Sequence, residues 1–204
     1  MQSSRHTTSP TRTIHLGEPA NAQQHKALRR LLAKEMNKNW DLPVMPTFGD
    51  TDPTHGRLIG YWDGKQVVAG VFTTPPAREA EQLLKLHPGN HSAYQWLLTK
   101  VVVVHYLFTK RAYRSKGLAR DLIAQVTTLA VDQGCDHVIA VPTNPTAEHV
   151  FRKSNYLVLP YGVSLSVSSH HHRVLLGTLP AEPDVRYALA TLGHTSHYTI
   201  TPQH

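Results

Sequence analysis

A single cysteine, Cys135, stands among 204 residues. One thiol cannot close an intramolecular disulfide, so packing and hydrogen bonds must hold the fold, which suits a reducing compartment. Cys135 lies in "DQGCDHV", between a predicted helix and a predicted strand, and reads as a structural thiol rather than a nucleophile. Long apolar runs are missing too. No stretch approaches the roughly 18 residues of a membrane span, although 40% of the chain is hydrophobic, as in ordinary globular domains. Acidic side chains are scarce: 14 Asp and Glu face 21 Lys and Arg, a formal charge of +7 beside 15 histidines. Such a balance favours anionic partners. The bases are scattered apart from Arg29–Arg30 and the segment from Lys110 to Arg120, and no nucleic-acid-binding motif accompanies them. The opening "MQSSRHTTSPTR" lacks the apolar core of a secretion signal. The expectation is a mobile tail over 1–12 and a cytoplasmic protein.

What is present reads as a mixed α/β single domain. A short strand at 13–19 precedes an amphipathic helix over 21–40, with Leu28, Leu31, Leu32 and Met36 at helical spacing. Residues 41–56 carry three prolines and two glycines and must be loop. Residues 57–76 form a hairpin around Asp63-Gly64. Two helical pieces follow, broken at Pro88-Gly89, and then a strand over 101–109 that reads as buried on both faces. A helix over 117–133, a strand over 137–142 and a short helix over 144–155 come next. Asn144 is placed to cap that last helix, with Pro145 at its first position. Two late strands, "YLVLPYGVSLSV" and "RVLLGTL", lead to a tail with a helical candidate in "DVRYALATL". The domain is expected over 13–178, with 179–204 as a C-terminal extension.

The segment "AYRSKGLARDL" directs the functional reading. A buried strand runs into a basic turn and a helix opens at once. The first N–H groups of that helix have no intrahelical partners and its dipole adds partial positive charge, so a phosphate is the natural ligand. Gly117 lets backbone and ligand approach closely, and Arg114, Lys116 and Arg120 add formal charge. No G-x-x-x-x-G-K-[ST] loop and no G-x-G-x-x-G after an early strand compete with this segment.

"RSKGLA" matches the Arg/Gln-x-x-Gly-x-Gly/Ala signature of the GNAT superfamily, the acyl-CoA-dependent N-acyltransferases. "LFTKRAYRSKGLARDLI" resembles that family's strand-four-to-helix-three segment, and "AVPTNPTAEHVFRKSNYLVL" resembles its second motif at the family's distance. The resemblance spans roughly residues 13–178, with specific motifs in 105–156. It implies a mixed central sheet with splayed strands four and five, flanked by helices. It further implies an N-acetyltransferase that passes the acetyl group of acetyl-CoA directly to a primary amine of a small molecule, peptide or protein. The pantetheine arm would pair with the backbone of Leu107, Phe108 and Thr109. The pyrophosphate would rest on Arg114, Ser115, Lys116, Gly117, Leu118, Ala119 and Arg120, and Asn144 would reach the arm from the other side.

The resemblance also shows departures. The usual tyrosine of the second motif aligns with Phe151, beside the cofactor but with no proton to give. His149, Ser154, Tyr113 and Tyr156 are the nearby alternatives for the general acid. Asn155–Tyr156 stands where Gly-Phe is usual, a conservative exchange since Asn tolerates the left-handed conformation. Family members often carry a catalytic carboxylate on strand four; position 103 is Val here, and His105 is the candidate base. Residues 101, 103, 105, 107 and 109 are expected on one face. Adjacent strand residues point to opposite faces, so "HHH" at 170–172 reads as an exposed turn and no metal is expected. Asp41, Asp50 and Asp52 lie in the loop after the first helix, which in the family commonly covers the acceptor; they read as solvated loop acids, with the holding of a cationic substrate as the alternative. The expected partner is an amine-bearing acceptor; a homodimer stays open, no membrane is expected, and nucleic acid enters only if the acceptor is a charged tRNA. The alternatives are a catalytically silent acyl-CoA-binding module and a toxin that acetylates aminoacyl-tRNA.

Overall fold

The computed structural model describes residues 14–35, 43–52, 55–169, 175–193 and 197–203. The tail over 1–12, Met36, Asp41 and the His170–His172 run lie outside them. Helix α1 (Ala22–Glu35) follows β1 (Ile14–Gly17) and starts at Asn21, whose Oδ1 accepts the Gln24 amide at 2.9 Å. Gln24 Oε1 in turn accepts the Ala20 amide at 2.8 Å, so both side chains serve orphan donors at the helix start. Leu28 and Leu32 on its inner face are fully buried. Burying each stabilises the fold by roughly 2–3 kcal/mol.

The hairpin β2 (Arg57–Asp63) and β3 (Gln66–Thr74) turns at Gly64–Lys65, one residue beyond the expected Asp63-Gly64. Gly60 pairs with Gly70 across it. A Cβ on Gly70 would lie 2.4 Å from Leu28 Cδ1, so these glycines let α1 settle onto the sheet. Helices α2 (Ala77–Leu86) and α3 (His91–Lys100) flank Pro88-Gly89 as expected. Then come β4 (Val101–Thr109), a 3-10 turn at Arg111–Tyr113, α4 (Leu118–Asp132), β5 (His137–Ala140) and α5 (Pro145–Lys153).

The remaining strands are β6 (Leu157–Val158), β7 (Leu165–Ser169), β8 (Leu175–Leu179), β9 (Ala188–Thr191) and β10 (Tyr198–Pro202). The central sheet runs β1-β2-β3-β4-β5-β9-β6, parallel only between β4 and β5. A second sheet runs β10-β7-β8. Consecutive residues of β3 feed opposite faces. Val71 joins the cluster built with α4 and α5, and Phe72 joins the one under α1. Helices α2 and α3 pack between the central sheet and the small one.

Three expectations need correction. The helical candidate in "DVRYALATL" is strand β9. Val185, Ala188, Leu189 and Leu192 sit at helical spacing, but the segment fills the slot between β5 and β6 and pairs with both. A helix there would leave two strand edges without partners, so tertiary pairing overrides the local pattern. "YLVLPYGVSLSV" is two strands, not one, because the turn after Leu159 carries the chain from β6 to β7 in the other sheet. The boundary at 178 therefore cuts off β9 and β10, which are built into the two sheets.

Candidate functional site

The chemistry-bearing residues gather where β4 and β5 part company. The parallel ladder joins Val101–Val104 to His137–Ala140 and stops. Strand β4 runs on to Thr109 with β3 on one side only. The Lys110 amide donates to the Val68 carbonyl at 2.9 Å. By the alternation of an antiparallel ladder, Phe108 and Tyr106 then point their peptide groups at β3, while Leu107 and Thr109 point theirs at the open side. The Thr109 hydroxyl is also buried without a hydrogen-bond partner.

The open stretch begins with a bulge. Phe72 pairs with Tyr106 but Thr73 pairs with Val104, leaving His105 without an opposite number. The bulge reverses which residues face which side. Val102 and Val104 pack toward α4, but so does Leu107, whereas Tyr106 and Phe108 pack toward α1. The expected single face of 101, 103, 105, 107 and 109 is thus broken at 105. Nor is the second half of β4 buried on both faces, since residues 105–109 are all half-buried.

His105 takes a defined tautomer from this setting. Its Nε2 lies 2.7 Å from Thr74 Oγ1, and that hydroxyl donates its one proton to the Pro75 carbonyl at 2.8 Å. The imidazole must therefore donate from Nε2, which leaves Nδ1 as a lone-pair acceptor. Burial pushes its pKa down to about 4, so the ring is neutral at physiological pH. Thr74 is a residue that sequence reading missed; it lies 31 positions from His105 and carries no local signal.

Beyond Thr109 the chain makes the turn into α4. Ser115 and Gly117 both have positive φ, 60° and 83°. Gly117 is the N-cap and no side chain caps the helix; the first helical bond is Asp121 N–H to the Gly117 carbonyl at 3.1 Å. The amides of residues 115–120 have no hydrogen-bond partner among the described residues. Arg114 Nε donates to the Thr109 carbonyl at 3.2 Å, and Lys116 lies 5.0 Å over the Tyr113 ring. Tyr113 in turn donates to Asp63 Oδ2 at 2.8 Å, tying the turn to the β2–β3 hairpin, a second contact that no local pattern signals. Six unspent amides, an N-terminal dipole and the three cationic side chains of Arg114, Lys116 and Arg120 make a cradle that fits a pyrophosphate.

Strand β5 ends at a different kind of junction. Asn144 Oδ1 accepts the Ala147 amide at 2.9 Å and Pro145 follows at the first helical position, as expected. Asn155 holds the left-handed conformation expected of it, at φ 63°. Phe151 is buried, packed 5.2 Å from the Tyr156 ring. Among the alternatives for a general acid, Tyr156 bonds Thr127 at 3.0 Å and burial pushes its pKa up to about 12. The Tyr113 hydroxyl is spent on Asp63, the Ser154 hydroxyl is buried without a partner, and His149 is exposed. Asp50 accepts the Asp52 amide at 3.0 Å and binds the exposed His55 at 2.8 Å, which together lower the carboxyl's pKa, and the carboxylate raises the imidazole's. No group of metal-ligating side chains forms among the described residues.

A family model described as the acetyltransferase (GNAT) family matches residues 25–156, well over half of the chain. No curated protein is similar enough in sequence to count as a match. Among solved structures, a polyamine N-acetyltransferase from Drosophila melanogaster that forms N-acetylagmatine superposes with a TM-score of 0.53 at 17% identity, over 88% of this chain and 100% of that one. A Salmonella typhimurium protein solved with its cofactor acetyl-CoA gives 0.53 at 12% identity, covering 91% and 96%. A phosphinothricin acetyltransferase from Sinorhizobium meliloti in complex with acetyl-CoA gives 0.54 at 13%, covering 89% of each chain. At these identities the likeness is one of fold.

Proposed function

The chain belongs to the acetyltransferase (GNAT) family, and from that premise we propose that it holds acetyl-CoA along the open side of β4 and delivers the acetyl group directly to a primary amine. The observation that carries this reading is the stretch of β4 beyond Val104, partnered on one edge only and leading straight into the unspent amides of 115–120. Leu107 and Thr109 would pair with the amide-bearing arm, and Arg114–Arg120 would hold the pyrophosphate. Phe108 and Phe151 would support the strand and helix that border the arm. When bound, acetyl-CoA supplies a thioester carbonyl carbon for the amine to attack.

The chain's own groups then manage charge. Most free alkylamines are protonated at neutral pH and must lose a proton to react. His105 Nδ1 faces this task with a free lone pair. Its low basicity makes it a transient acceptor that passes the proton on, directly or through water, rather than a store for it. An outward N–H of β4 opposes the charge that develops on the thioester oxygen. Tyr113 is spent on Asp63 and Tyr156 on Thr127, so neither is placed to protonate the departing sulfur, and a thiol pKa near 8.5 lets it leave as thiolate.

The fold does not choose the acceptor, since neighbours of the same fold act on polyamines and on phosphinothricin. Neither the silent binder nor the aminoacyl-tRNA toxin is favoured. Release of CoA thiol from acetyl-CoA at pH 8, against pools of amino acids, peptides, polyamines, aminoglycosides and charged tRNA, tests the reading. Amine-dependent release that Gly117→Glu removes is the expected result. Bound acetyl-CoA with no release from any pool would return the silent module.

A further inference from the structure

A groove on the other face of the central sheet lies away from the phosphate cradle. Its volume is about 650 Å³, between α1 and residues 43–45. Lys26, Arg29 and Arg30 line it with His25, Val44 and Met45, and no described lining residue is acidic. None of the three cations is ion-paired among the described residues. Burial, and then the Arg29 charge, holds the pKa of His25 below its ordinary value, so the groove floor is a neutral imidazole.

Position separates this groove from the cofactor. Helix α1 lies on the Phe72 face of the sheet and α4 on the Val71 face, so an anion bound here is not the cofactor's pyrophosphate. Position also ties it to the chemistry. Met45 belongs to the same packed cluster as Phe72, whose ring centroid is 5.7 Å from that of His105. The lining runs along α1 from His25 to Ala33, about 12 Å at 1.5 Å per residue. That length suits several residues of an extended chain better than a single amino acid. The apolar flank of Val44 and Met45 suits a partner with a carbon backbone between its charges.

We propose that this groove selects an acidic peptide as the acceptor, its carboxylates on Lys26, Arg29 and Arg30 and its amine carried toward His105. The inference rests on the acetyltransferase reading above and specifies its substrate class. It also makes a polycationic acceptor unfavourable, because three cations with no ion-pair partner among the described residues repel one.

The test uses the peptides Gly-Glu-Glu, Gly-Gln-Gln and Gly-Lys-Lys, matched in length, at low ionic strength. Each is titrated calorimetrically into the protein with CoA present and then assayed with acetyl-CoA. Gly-Glu-Glu should bind at least tenfold more tightly than Gly-Gln-Gln, and Gly-Lys-Lys least. The combined variant Lys26→Gln, Arg29→Gln, Arg30→Gln should erase that order while leaving the acetyl-CoA KM and the melting temperature unchanged. Arg29→Lys with Arg30→Lys should keep it. Equal binding of the three peptides, preference for Gly-Lys-Lys, or a preference that survives the triple variant would overturn the proposal. So would competition by tRNA that tracks the same residues, which would give the groove to nucleic acid. Acetyl-CoA binding is read in the same titrations, so a failed acetyltransferase reading shows itself separately.

Discussion

Two strand-to-helix junctions stand next to each other at the ends of the parallel pair, and they begin their helices in opposite ways. At β5–α5 the chain satisfies itself: Asn144 accepts the Ala147 amide and Pro145 has no N–H to satisfy. At β4–α4 it leaves six amides open behind two residues of positive φ, with no capping side chain. A closed start contributes stability; an open one keeps its donors for a ligand. The pair teaches that a binding site can be recognised by what a fold leaves unsatisfied where its neighbour, under the same constraints, does not.

The comparison breaks most visibly at Gly117. Gly117→Glu forces a side chain into the left-handed region and sets a carboxylate among the phosphate donors. Acetyl-CoA affinity, read by calorimetry, should fall roughly a thousandfold, since like-charge juxtaposition costs several kcal/mol. Acid should act next, on His105 at the head of the open stretch. Its folded pKa is about 4 against an ordinary 6.5. Between those values the unfolded chain binds the extra proton, so stability is complete above about pH 6.5 and falls as pH drops toward 4, by up to about 3 kcal/mol. Urea titrations across that range check it, and His105→Gln should flatten the slope.

His105→Ala should lower kcat about a hundredfold at pH 8, a loss typical of a proton-transfer group. In the wild type kcat should show no inflection near pH 6.5, because the imidazole is already neutral there. The smallest effect belongs to the closed junction. Asn144→Ala should cost about 1 kcal/mol of stability, seen as a lower melting temperature. Asn144→Asp should restore it, and acetyl-CoA affinity should change far less than at Gly117.

Local sequence carried the open junction well. Its strand, turn, Gly117 and helix are contiguous, so one segment displays both the backbone geometry and the charge. The closed junction was equally legible in Asn144-Pro145. The bulge at His105 was not, because it arises from how β3 pairs with β4, and a period of two gives no warning of an inserted residue. The tautomer of His105 was hidden for the same reason, as Thr74 comes from the neighbouring strand. Strand β9 was misread because Val185, Ala188, Leu189 and Leu192 satisfy a helical period while the vacancy between β5 and β6 demands a strand. The groove on α1 was half visible as Arg29–Arg30, but its wall at Pro43–Met45 appears only once the loop is folded back.

Backbone amide NMR on the full chain tests the central claim most directly. On adding CoA, shift changes should concentrate in Ser115–Arg120 and in Leu107 and Thr109, with the first turn of α5 and the α1 groove little moved. Changes centred on α5 or on Lys26–Arg30, with residues 115–120 silent, would contradict the account.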